Sequence, residues 1–155
     1  MRLHLLHHNP VDSSRTNISR WAENKSYSIA HTYLCNNEAL PAMKDFDWLI
    51  VMGGSQHAWE EDVYPWLPAE KKFIAQALED NKIILGICFG AQLLAETLGG
   101  EVFVNPHNEI GWYQVTLTSD GQRSYLFQNV PQQFTTFHWH ADHFALPPGC
   151  TRLAY

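Results

Sequence analysis

The sequence is short of basic residues. Ten Lys and Arg stand against 16 Asp and Glu among 155 residues, a formal net charge of −6. That balance argues against a nucleic-acid or anionic-membrane partner, because no excess of cations exists to neutralise phosphates. Cysteine is scarce as well. Cys35, Cys88 and Cys150 are an odd number at unrelated spacings, with no C-x-x-C pair and no disulfide framework. No apolar run approaches the length that spans a bilayer. The opening "MRLHLLHHNP" turns polar too early for a signal peptide. The expectation is a cytoplasmic, reducing location and no membrane partner. There are no internal repeats and no low-complexity linker, so residues 1–155 read as a single domain.

What is present is 45% hydrophobic and 17% charged, the composition of a globular chain with a sizeable core. Strand and helix patterns alternate. "RLHLL" (2–6), "YSIAHTYL" (27–34), "DWLIVMGG" (47–54) and "KIILGI" (82–87) read as strands. Between them, "VDSSRTNISRWAENK" offers Ser13 or Ser14 as a helix cap, with Ile18, Trp21 and Ala22 on one face. "PAEKKFIAQALEDN" places Phe73, Ile74, Ala77 and Leu78 on a helical face, and "AQLLAETL" is a helix stopped by Gly99-Gly100. This alternation predicts a doubly wound, mostly parallel α/β sheet. The last third differs. "EVFV", "WYQVTLT", "QFTTFHWH" and "TRLAY" are strand-like pieces that predict an added antiparallel section.

In open parallel sheets, sites lie beyond the carboxyl ends of the strands. Gly53-Gly54 and Cys88 both fall there. Cys88 stands between Gly86 and Gly90 where a strand turns into a helix, the G-x-nucleophile-x-G pattern of a strained elbow. A helix N-terminus favours a thiolate, the reactive form of cysteine. Its N–H groups are also suited to a developing oxyanion, with the Gly53 and Gly54 amides as a second arm. A buried, inert cysteine is the plainer alternative for a lone Cys, and the flanking glycines weigh against it.

These residues carry a resemblance. "LGICFGAQLLAETLGG", "DWLIVMGGSQHAWEED", "NEIGWYQVTLT" and "FHWHADHFALPPGCTRLA" together resemble, in the right order, the class I glutamine amidotransferases, and the GMP-synthase-like stand-alone members in particular. The resemblance implies a flavodoxin-like fold, glutamine as substrate, ammonia passed to a synthetase partner, and no cofactor or metal. It implies Cys88 as the nucleophile that forms a γ-glutamyl thioester. Gly53, Gly54 and Phe89 would supply the oxyanion hole. Gln92 would contact glutamine, and His140 and Asp142 would line the pocket.

One departure bears on activity. The family places its catalytic His and Glu in a later His-x-Glu motif, a few tens of residues past a Leu-Pro-Gly segment. Here "LPPG" occupies residues 146–149, six residues follow, and no His-x-Glu is among them. The expectation is a domain lacking those late strands, with weak or no turnover and with exposed edges that favour a homodimer. A non-catalytic binding or assembly module is the alternative. A related group of cysteine enzymes places His directly after the nucleophile, where this chain has Phe89. Finally, "HWHADH" fits H-x-H-x-D-H, a pattern resembling that of zinc-dependent hydrolases, and gives a less favoured metal reading through His138, His140, Asp142 and His143.

Overall fold

The computed structural model describes residues 1–10 and 16–155. The chain divides into two compact units, Met1–Thr97 and Leu98–Tyr155.

The first unit is built on a four-stranded parallel sheet. Its strands are β1 (Arg2–His7), β2 (Ser28–Tyr33), β3 (Trp48–Val51) and β4 (Ile83–Gly86), in the order β2-β1-β3-β4. Both faces of the interior strands β1 and β3 are covered, so β3 is a continuous apolar run and β1, after Arg2, is apolar apart from its buried His4 and His7. Leu3, Leu5 and Leu6 on β1 and Leu49, Ile50 and Val51 on β3 are at most 1% exposed. Burying each such side chain contributes about 1.5–3 kcal/mol. β4 is an edge strand, with Ile83 and Leu85 exposed.

Three helices cover this sheet: α1 (Asn17–Asn24), α2 (Leu67–Glu79) and α3 (Phe89–Thr97). The cap expected at Ser13 or Ser14 lies outside the described residues. The observed cap is Thr16, whose side chain accepts from the Ser19 N–H at 3.1 Å. α1 buries Ala22 and packs Ile18 against Leu3, Leu5 and Ile50. α2 buries Phe73, Ile74 and Ala77, as its spacing predicts, with Leu78 at the margin. Gly99, at φ 86°, follows the end of α3. Among the described residues, no helix is long and apolar enough to cross a membrane.

The second unit is an antiparallel ribbon of β5 (Val102–Thr116) and β6 (Gln133–Phe144), with the short helix α4 (Ser119–Arg123) between them. The two strand pieces expected before residue 119 are one strand. A register shift between Val104 and Glu109 takes up the intervening residues. Pro106, which has no N–H to give the ladder, falls inside that shift. "TRLAY" forms only a bridge, Leu117 to Ala154.

A histidine stack lines the β1–β2 seam. His7 stacks on Tyr33 at 4.6 Å and shares a 2.9 Å hydrogen bond, Nε2 to Nδ1, with His31. Burial, then the neighbouring His31, holds the His7 pKa down from 6.5 to about 4. His4 and His31 are also lowered, chiefly by burial. A base with a depressed folded pKa binds its proton later than the unfolded chain does. Its contribution is present above pH 6.5 and is lost as pH falls towards about 4. Thermal unfolding is therefore expected at progressively lower temperature between those pH values, with a shallower slope in His7→Phe. Equal slopes in the two proteins would contradict it.

Candidate active site: a cysteine elbow beside a double glycine

The register of β3 and β4 pairs Val51 with Gly86, so the two strands end side by side. Met52-Gly53-Gly54 leaves one and Ile87-Cys88 leaves the other. The Ile87 N–H donates to the Val51 carbonyl at 2.9 Å and keeps the two segments in contact. A Cβ added to Gly53 would lie 3.4 Å from the Cys88 Cβ. The structure thus brings Cys88 and Gly53 together.

Cys88 is exposed and has φ 51°, a left-handed backbone that a non-glycine residue adopts at a cost of roughly 1–3 kcal/mol. The glycines beside it serve packing rather than positive φ. A Cβ on Gly86 would stand 2.6 Å from the Gly90 carbonyl oxygen and 2.7 Å from Ala91. A Cβ on Gly90 would strike the Val51 carbonyl. Only a bare backbone lets the first turn of α3 sit directly on the strand ends.

That turn narrows the oxyanion reading. The Gly90 N–H donates to the Ile87 carbonyl at 3.0 Å, and the Ala91 and Gln92 N–H groups donate to the Cys88 carbonyl at 2.9 and 3.1 Å. These three amides therefore do not all face the sulfur, contrary to the simple expectation of a helix presenting every free N–H. The amides of Gly53, Gly54 and Phe89 donate to no backbone carbonyl among the described residues. The Phe89 side chain is buried, and Gln92 is 5% exposed in the same turn.

Two residues that the sequence did not single out buttress the double glycine. His8 follows β1 directly. Its Nδ1 lies 3.3 Å from the Gly53 carbonyl, which can only accept, so Nδ1 carries the proton. Its Nε2 lies 2.8 Å from Glu70 Oε1 in the first turn of α2, and both side chains are fully buried. The ring packs against Trp66 at 5.5 Å and edge-on to Phe89 at 4.9 Å. The Gly53–Gly54 peptide is trans, so a carbonyl drawn towards His8 turns the Gly54 N–H the opposite way. Gly54 itself has no room for a side chain. An added Cβ would meet the Gln56 amide and lie 3.0 Å from the His8 Cβ.

His140 and Asp142 lie on β6 in the second unit, on one face of the ribbon together with His138. His143, the last member of H-x-H-x-D-H, points the other way and stacks on Phe103 at 5.2 Å. The four-residue metal pattern is therefore not assembled as read. Instead, Glu109 of β5 joins His138 and His140.

Cys88 is expected to alkylate faster than Cys35 and Cys150 near neutral pH, because it is the exposed thiol at a helix start. Brief iodoacetamide treatment followed by mass spectrometry measures this. Equal labelling of the three thiols would remove the elbow assignment.

A parallel α/β sheet whose strand ends bring a left-handed cysteine against a double glycine is the class of fold this chain presents. The family profile of the class-I glutamine amidotransferases matches residues 10–154, and the chain belongs to that family. It is 38% identical to a glutamine amidotransferase-like protein, YfeJ, of Salmonella typhimurium over 99% of this chain and 66% of that protein. It is 35% identical to the glutamine-hydrolysing GMP synthase of Thermomicrobium roseum over 81% of this chain and 23% of that one. The crystal structure of a glutamine amidotransferase from Thermotoga maritima superposes with a TM-score of 0.90 at 30% identity, covering 99% of this chain and 66% of that structure. The fold is thus of the class I amidotransferase type, and the chain spans just under two thirds of the length of the Salmonella relative.

Proposed function

We propose that these residues form the glutamine-binding half-reaction of an amidotransferase, with Cys88 as the nucleophile. The observation that carries the reading is the left-handed Cys88 lodged against Gly53, with the Gly53, Gly54 and Phe89 amides not engaged by the backbone among the described residues. The Cys88 thiolate attacks the side-chain amide carbon of glutamine. The carbonyl oxygen becomes an oxyanion that amide N–H groups stabilise. The C–N bond breaks, the nitrogen takes up the proton that the Cys88 thiol released and leaves as ammonia, and a γ-glutamyl thioester remains on Cys88. Water then releases glutamate. Gln92, one helical turn beyond the nucleophile, contacts the substrate. His8 is a positioning residue that fixes the Gly53–Gly54 peptide.

The ammonia goes to a synthetase partner or domain. Relatives named as glutamine-hydrolysing GMP synthases, of which this chain matches about a quarter of the length, support that part of the reading.

A glutamine analogue with a reactive side chain tests it. The analogue is expected to label Cys88, excess glutamine to protect, and Gln92→Ala to slow labelling about tenfold or more, the loss of a charge-free hydrogen bond with its desolvation. Labelling indifferent to excess glutamine would overturn the glutamine pocket. Iodoacetamide reactivity in Gln92→Ala should stay near that of the unmodified protein, which separates recognition from thiol reactivity.

A further inference from the structure

We infer that Glu109, His138 and His140 form a cross-strand site for a borderline divalent cation, with zinc as its chemical type. The site belongs wholly to the β5–β6 ribbon.

The register assembles it. Glu109 lies directly opposite His140, and Gly111 lies opposite His138. Residues two apart on a strand share a face, so His138, His140 and Glu109 project from one side of the ribbon. Gly111 contributes no side chain there, and the Tyr113 ring lies 3.6 Å from where its Cβ would stand. The ligand atoms converge. His140 Nε2 is 2.9 Å and His138 Nδ1 is 3.4 Å from the same carboxylate oxygen, Glu109 Oε2, and the three ligand atoms lie within 4.8 Å of one another. Tetrahedral zinc with bonds near 2.0–2.1 Å separates its ligand atoms by ~3.3 Å. The two histidine nitrogens stand 2.9 and 3.4 Å from the Glu109 oxygen, about that spacing.

The surrounding contacts orient the ligands. His140 Nδ1 lies 3.1 Å from the Asp142 backbone carbonyl and 3.5 Å from the Asn105 side-chain amide, while Nε2 faces Glu109. A metal ligand held by a backbone carbonyl through its other ring nitrogen is a recurrent second contact in zinc sites. The His138 ring is fixed by stacking on Tyr113 at 5.1 Å. Two imidazoles and one carboxylate suit zinc and its transition-metal neighbours, whereas calcium and magnesium take oxygen ligands. Three protein ligands leave a fourth position for water.

The ligands come from both strands of a two-stranded ribbon, which by itself is marginally stable. A bound ion would clip β5 to β6 and raise the stability of the folded state by mass action.

Zinc titration calorimetry of tag-free protein is the test. The expected result is one equivalent per chain, a raised melting temperature that EDTA reverses, and the same stoichiometry in Cys88→Ala. Glu109→Gln and His140→Gln are each expected to weaken binding by at least about tenfold. Absence of zinc uptake overturns the proposal, as does binding that survives both variants or is lost with Cys88 instead. Should a variant fail to fold, the ring nitrogens of His138 and His140 in the unmodified protein decide by NMR. Both resonances are expected to shift with one equivalent of zinc, and unmoved resonances overturn the site.

Discussion

Glu70→Ala is expected to lower the unfolding free energy by about 3–5 kcal/mol, the loss seen when one partner of a fully buried pair is removed. Glu70 and His8 are both fully buried and 2.8 Å apart, and among the described residues no other side chain is bonded to the His8 Nε2. The deletion strands that nitrogen in the core and leaves a cavity. Denaturant unfolding measures the change, and a loss under about 1 kcal/mol would contradict it. The double variant His8→Phe, Glu70→Leu separates stability from function. Apolar groups of similar volume are often neutral or stabilising in place of a buried ionic pair, and the aromatic packing on Trp66 and Phe89 is retained. The anchor on the Gly53 carbonyl is lost. A small misplacement of a positioned group can cost up to about 10²-fold in rate. Labelling of Cys88 by the glutamine analogue should therefore slow in that direction, while iodoacetamide labelling changes little. Equal slowing of both reagents would mean that His8 and Glu70 act only through stability.

How much of this was legible depends on distance along the chain. β1 reads as residues 2–6 and is found at Arg2–His7, because Leu3, Leu5 and Leu6 mark a strand covered on both faces. The Cys88 elbow is legible because its glycines and the following helix are contiguous. The His8–Glu70 contact is not, since its members are 62 residues apart and Glu70 reads as an ordinary acidic residue in a first helical turn. The metal cluster is half legible. "HWHADH" marks His138 and His140, but strand alternation sends His143 to the far face. The third ligand, Glu109, comes from a strand whose register no local pattern reveals, because the shift after Val104 sets which residue opposes His140. "EVFV" and "WYQVTLT" read as two separate strand pieces, whereas the bulge carries the ladder through.

Glutamine hydrolysis by residues 1–155 alone is expected to be barely faster than by their Cys88→Ala variant, even though Cys88 remains modifiable. The elbow supplies the nucleophile and the amides for an oxyanion. Breaking the amide also needs a proton on the departing ammonia, and hydrolysing the thioester needs an activated water. No His-x-Glu follows the Leu-Pro-Pro-Gly segment in these residues. His8 is no substitute, since both its ring nitrogens are occupied, by Gly53 and by Glu70, in the buried interior. General acid–base assistance contributes roughly 10²–10⁴-fold, and more is lost when groups that act as a unit are separated. Ammonia release is the measurement, made on residues 1–155 and on Cys88→Ala under saturating glutamine. A burst of one ammonia per thiol without further turnover is the expected signature of a thioester that forms slowly and is not resolved. Sustained turnover, abolished in Cys88→Ala, would refute the argument and place the base among the residues present. His140→Ala and His143→Ala would then identify it, with loss of turnover in one and not the other naming the histidine responsible.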